Sequence, residues 1–152
     1  DAACAPVAGA AVEVWHTDAT GDYSAFADGG GGKDEAEGST FLRGTQTADE
    51  QGIVEFQSIY PGWYPGRAVH VHVRVRVDDD LVVTTQLYFD DAATEAVLTS
   101  GPYAEFGPPG TTNAEDGFAG DAAESGLLLV TTAAETTAGA GTLALLNIGV
   151  RA

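Results

Sequence analysis

The chain is short of several things at once. Its 152 residues include one cysteine, no methionine, three histidines, and six lysines and arginines against 23 aspartates and glutamates. With Cys4 alone, no disulfide can form within the chain and no cysteine-based zinc site is available. The scarcity of bases leaves a formal net charge of −17, which excludes nucleic acid as a partner. A solvated, self-repelling surface is the plain reading of that acidity, and a salt-adapted source would fit a chain whose one lysine is Lys33. No apolar run reaches the ~20 residues a membrane span needs, so no membrane partner is expected. A chain that starts at Asp1 and has no methionine reads as a processed product, and export to the extracellular space is the expectation, with the cytoplasm as the alternative. Long helical periodicity is missing too.

What remains is a chain with 44% hydrophobic residues and a mean hydropathy of −0.01, which reads as one domain over residues 1–152. A domain of this size buries about 70% of its unfolded surface and needs no staples. Strand-like runs rich in Val, Ile, Thr and aromatics occur at Ala11–His16, Phe41–Gln46, Ile53–Ser58, Val69–Val77 and Leu81–Phe89, with later candidates at Gly126–Thr132 and Thr142–Val150. Asp78, Asp79 and Asp80 read as a tight hairpin turn, and Asp91–Leu98 as one short helix capped by Asp90 or Asp91. The spacing predicts an all-β fold, an antiparallel β-sandwich of about seven to nine strands with long loops. Gly29–Gly32 reads as a flexible loop and not a phosphate cradle, since no Lys-Ser/Thr pair follows it. Residues 100–125 form a Gly/Pro/Asp-rich connection long enough to be a functional rim.

Chemistry concentrates between residues 67 and 77. On a strand, alternate side chains face opposite sides. Val69, Val71, Val73, Val75 and Val77 then share a core face, and His70, His72, Arg74 and Arg76 share the other. Two imidazoles side by side can grip one metal ion, or they can be two structural histidines on a polar sheet face. A cupin-type site needs a downstream Glu, and positions 73–77 supply none. A 2-His-1-carboxylate site finds no marked acid either. Tyrosine does lie nearby, at Tyr60 and Tyr64 just upstream and at Tyr23 after the first strand. Phenolate is a hard anionic ligand suited to ferric iron, which can hold tyrosine ionised despite a free pKa of about 10.

These residues carry a resemblance. Pro6 to His16, Gly21-Asp22-Tyr23, Phe41 to Gly44, Ser58 to His72 and Thr84 to Phe89 together resemble the intradiol ring-cleavage dioxygenases, the family of catechol 1,2- and protocatechuate 3,4-dioxygenases, over roughly residues 4–118. The resemblance implies a non-haem Fe(III) cofactor held by Tyr23, Tyr64, His70 and His72. It implies Arg67 as the active-site arginine, Gln86 as the glutamine that positions substrate, and Tyr64 as a ligand that also accepts a substrate proton. The implied partners are a small aromatic diol and O2, and the implied product is a cis,cis-muconate-type diacid. Tyr60 falls where the larger relatives have no ligand. Trp15 and His16 read as packing at the pocket wall, and Arg74 and Arg76 as surface residues. The larger relatives carry a further N-terminal region that in some supplies a dimer interface, so a monomer or a homodimer is expected. Small exported relatives often have a second cysteine where this chain has Thr17. Two rivals share the same residues: a non-catalytic β-sandwich binding module that keeps the fold, and a structural or zinc-binding domain using the histidines alone.

Overall fold

Alternation of valine with histidine and arginine makes the central strand of the molecule. The computed structural model describes residues 5–24, 38–120, 122–136 and 139–150, and in it that strand is β3 (His70–Val77). It lies between β1 (Ala11–Trp15) and β4 (Asp80–Tyr88), and β2 (Arg43–Thr47) closes the far side. All pairings are antiparallel, in the order β2-β1-β3-β4. The register assembles two chemically distinct faces. Val12 pairs with Val75 and Val75 with Val83; Val14 pairs with Val73, and Val71 with Leu87. This is the core face, where Val73 and Val75 are buried beneath Ala10, Ala48, Phe89, Leu98 and Leu129. Branched side chains pack well on a pleated surface, which is why a valine-rich run settles here.

The connections follow local chemistry. Asp78 and Asp79 both take positive φ (50° and 67°), the left-handed pair a two-residue hairpin loop demands. Helix α1 (Asp91–Leu98) begins at Asp90, whose carboxylate accepts the Ala93 N–H at 3.0 Å. A 3-10 helix spans Gly101–Phe106. The free side of β4 meets the 127–129 segment through Tyr88, whose N–H donates to Leu127 and whose carbonyl accepts from Leu129.

A second antiparallel sheet consists of β5 (Val130–Thr136) and β6 (Gly139–Leu145). The chain is thus all-β in the coarse sense expected, with two antiparallel sheets. Six strands form among the described residues, against an expectation of about seven to nine. In the hairpin β5–β6, Val130, Leu143 and Leu145 are exposed. The predicted strand at Ile53–Ser58 does not form. β-propensity expresses fit to cross-strand neighbours, and this segment acquires none: Ile53 and Phe56 are exposed, and Ser58 instead holds His16. Cys4 and Gly29–Gly32 lie outside the described residues. No helix among the described residues is long and apolar enough to cross a membrane.

Candidate metal centre

The polar face of the sheet is laid out in rows. In one row, register sets Arg43 beside Trp15, Trp15 beside His72 and His72 beside Gln86. In the next, His70 pairs with Tyr88. Gln86, fourteen residues beyond His72 in sequence, is therefore its direct cross-strand neighbour.

Two loops bring phenols onto this face. The turn after β1 is closed by Asp18, whose Oδ1 accepts the N–H groups of Thr20 and Asp22 and the hydroxyl of Thr20. It interlocks with the segment carrying Tyr64. Gly62 donates to the Asp18 carbonyl at 2.8 Å, and Thr17 Oγ1 donates to the Gly62 carbonyl at 2.7 Å. A Cβ on Gly62 would lie 2.5 Å from the carbonyl oxygens of Asp18 and Ala19. One on Gly21, at φ +86°, would lie 2.1 Å from the Trp63 carbonyl. Glycine at both positions lets the two backbones touch, and the touching loops aim Tyr23 and Tyr64 at one point.

Four donor atoms converge there. Tyr23 Oη lies 3.1 Å from His70 Nε2, 3.0 Å from His72 Nε2 and 3.5 Å from Tyr64 Oη. Tyr64 Oη is 3.3 Å from His70 Nε2, and the two Nε2 atoms are 3.3 Å apart. Nitrogen and oxygen donors at about 2.0–2.2 Å from one first-row ion are about 2.8–3.6 Å from each other, so these edges fit a single ion. The tautomer fits as well. His70 Nδ1 donates to the Ala68 carbonyl at 2.7 Å, which leaves its Nε2 lone pair facing the cluster. The groups that meet the two imidazoles here are phenols, and among the described residues no three His, Cys, Asp or Glu side chains gather.

Burial sets the protonation. It lowers the pKa of His70, helped by the nearby Arg67 cation, and takes that of His72 down to about 3, helped by His70, Arg67 and Arg43. Both imidazoles are neutral at pH 7, as ligands must be. Burial, with the Tyr64 phenol beside it, pushes the Tyr23 hydroxyl well above its ordinary value. A hard metal ion bound here is what would ionise the Tyr23 phenol against that upward push.

Arg67 reaches the cluster from just before β3. Its Nη1 donates to Tyr64 Oη at 3.4 Å and its Nη2 to Gln86 Oε1, while Nε bonds Asp116 Oδ2 at 2.9 Å. Asp116 has a fully buried side chain, and it also accepts the backbone N–H groups of Ala68 (2.8 Å), Phe118 (2.7 Å) and Ala119 (3.3 Å). Burial alone would raise its pKa, but these donors and Arg67 outweigh that and hold it low. Tyr88 donates to Gln86 Oε1 at 2.6 Å. The sequence reading missed Asp116 and Tyr88. Tyr88 sat in view, inside the Thr84–Phe89 run, and Asp116 within the long rim loop.

The sequence and the fold are both matched among known proteins. The family model described as Dioxygenase matches residues 1–100. The chain belongs to the intradiol ring-cleavage dioxygenase family. The chlorocatechol 1,2-dioxygenase of Rhodococcus opacus is 29% identical over 109 residues, covering 59% of this chain and 40% of that protein. The namesake from Pseudomonas sp. (strain P51) is 34% identical over 104 residues, 57% and 39% respectively. The chain thus spans about two fifths of these bacterial relatives. Among solved structures, an intradiol ring-cleavage dioxygenase from Tetranychus urticae superposes with a TM-score of 0.82 at 29% identity, over 97% of this chain and 74% of that one.

The remaining sequence candidates fall elsewhere. Tyr60 bonds Thr94 Oγ1 at 2.8 Å and packs on Phe89, apart from the donors. His16 is buried between Thr17 and Ser58. Arg76 is exposed, as expected. Arg74 is not a simple surface residue. It lies half-buried over Trp15 and contacts Glu13 at 3.4 Å, because register sets it opposite Glu13. Thr17 is buried and donates to the Gly62 carbonyl.

Proposed function

We propose that this protein is a non-haem Fe(III)-dependent intradiol dioxygenase that opens catechol-type rings with O2, yielding cis,cis-muconate-type diacids in which both oxygen atoms are retained. The observation that carries this reading is the meeting of two phenols and two neutral imidazoles at single-ion spacing, with a charge-anchored arginine against them.

Tyr23, Tyr64, His70 and His72 hold the ion. Ferric iron, when bound, supplies the Lewis acidity that makes a catecholate reactive toward O2. Tyr64 has two tasks: it completes the donor set, and its oxygen takes a proton from a catechol hydroxyl. Arg67 keeps its charge at that oxygen because Asp116 holds it from behind, so it stabilises negative charge gathering on the substrate oxygens. Gln86 is pinned by Arg67 and by the Tyr88 hydroxyl, which fixes its amide for contact with the ring substituents. A cleft of about 270 Å³ bordered by Thr20, Trp63, Tyr64, Pro65 and Phe106 opens beside Tyr64. Among the described residues, Arg67 is the cation that touches the donor cluster, and it is already paired. Plain or alkyl-substituted catechols are therefore the substrate class, ahead of carboxylated ones.

The test is colour followed by turnover. Protein produced with iron available is expected to bind one ferric ion per chain, to show a broad visible tyrosinate band, and to consume one O2 per catechol opened. A colourless stoichiometric zinc protein sinks the metal assignment. A coloured protein that opens no ring across a catechol panel leaves only the binding-module reading.

A further inference from the structure

His70 and His72 are held by different means. The Nδ1 of His70 is fixed by the Ala68 carbonyl, whereas among the described residues the Nδ1 of His72 has no hydrogen-bond partner. Its ring lies instead on Trp15, with centroids 4.7 Å apart and planes 3° from parallel. The Arg43 guanidinium lies 4.7 Å from the centroid of the indole. Glu13 Oε1 accepts from Arg43 Nη1 at 2.7 Å, and its other oxygen faces Arg74 Nη1 at 3.4 Å. Arg43, Trp15 and His72 are successive cross-strand neighbours on β2, β1 and β3, so the stack is built into the register.

We propose that Arg43, anchored by Glu13, is a positioning residue for the metal centre: it clamps Trp15 onto His72 and so fixes the ring plane of a ligand whose Nδ1 has no hydrogen-bond partner among the described residues. This rests on the reading of His72 as a ligand. A metal-bound imidazole needs its ring orientation set, usually by a carbonyl or carboxylate on the distal nitrogen. Here a flat indole does that by stacking, and the cation holds the indole in turn through its π face. Arginine suits the position because its planar guanidinium can lie over a ring while a fork of donors engages Glu13. Both side chains are largely shielded, which keeps solvent from loosening the pair.

The experiment compares wild type with Arg43→Met, Arg43→Lys and Glu13→Gln. Fe(III) affinity is read by chelator competition and the ligand field by the position of the visible band, with far-UV circular dichroism and apoprotein melting as fold controls. Arg43→Met is expected to weaken Fe(III) binding by about 10–100-fold, the usual effect of losing an orienting partner, and to shift the band. Arg43→Lys keeps the cation and is expected to fall between the two; Glu13→Gln moves both readouts in the same direction. Unchanged affinity and band in a folded Arg43→Met, even with a lowered melting temperature, overturn the clamp. If Arg43→Met does not fold, Glu13→Gln decides by the same two readouts. A wild type that takes up no Fe(III) is seen before any variant is made, and removes the ligand reading and the clamp together.

Discussion

Arg67 links the parts of the site, since it touches Tyr64, Gln86 and Asp116 without being able to ligate metal. Arg67→Ala is therefore expected to keep iron and colour while lowering kcat and kcat/KM together by about 10²–10³, the cost of one preorganised electrostatic group. Full activity in that variant would reduce Arg67 to a structural partner of Asp116. Asp116→Asn tests the anchor: the guanidinium stays but loses its buried counter-charge. Turnover should fall while iron is retained, and apoprotein melting should drop as the pair is broken. The two nearby tyrosines give the sharpest contrast. Tyr64→Phe is expected to hold iron less well and turn over far more slowly. Tyr60→Phe loses a hydrogen bond to Thr94, costs about 1 kcal/mol of stability and leaves the colour intact. The reverse pattern, read from the visible spectrum of each variant, would move the ligand from Tyr64 to Tyr60.

Elements explain what the sequence could and could not reveal. The alternation of β3 announces both of its faces, because a strand's period of two converts spacing directly into side. The same rule places Gln86 beside His72 once β3 and β4 are joined by the tight turn at Asp78 and Asp79. Asp116 carries no such period. It is one of 23 acidic residues, lies 49 positions from Arg67, and is brought there by a loop whose path no local pattern encodes. Ile53–Ser58 misleads for the opposite reason: it has strand composition but pairs with no strand. The interlocked loops at Gly21 and Gly62 join these scales, since two unremarkable glycines set where two phenols point. Gly62→Ala would drive its Cβ into two backbone carbonyls with no flexible atom to yield. The expected result is a variant that keeps its β-rich far-UV spectrum but loses most of its bound iron, because Tyr23 and Tyr64 no longer aim at one point. Normal iron content in Gly62→Ala would show that the loop contact does not set the donor geometry.

At the scale of the whole molecule, two electrostatic effects act in different places and respond to different variables. The net charge of −17 repels itself across the surface and opposes compaction. Screening relieves that: between about 0.01 and about 1 M NaCl the Debye length shrinks from about 30 to about 3 Å. The melting temperature at neutral pH should rise accordingly, by about 2–4 °C for each kcal/mol relieved in a chain of this size. The second effect is internal. Burial lowers the pKa of His16, His70 and His72 in the folded state below the ordinary imidazole value of about 6.5. Below that value the unfolded chain takes up protons the folded chain refuses, so the unfolded state gains and stability falls as pH drops. The loss starts near pH 6.5 and for His72 continues toward its folded value of about 3. The metal-free protein is thus expected to melt at a lower temperature at about pH 5 than at about pH 7, although acidification also begins to reduce its surface charge. High salt separates the two. It removes the surface contribution but reaches buried groups far less, so the acid-induced drop should persist in about 1 M NaCl. A melting temperature that instead climbs on acidification at high salt would show that these imidazoles are not held neutral by the fold.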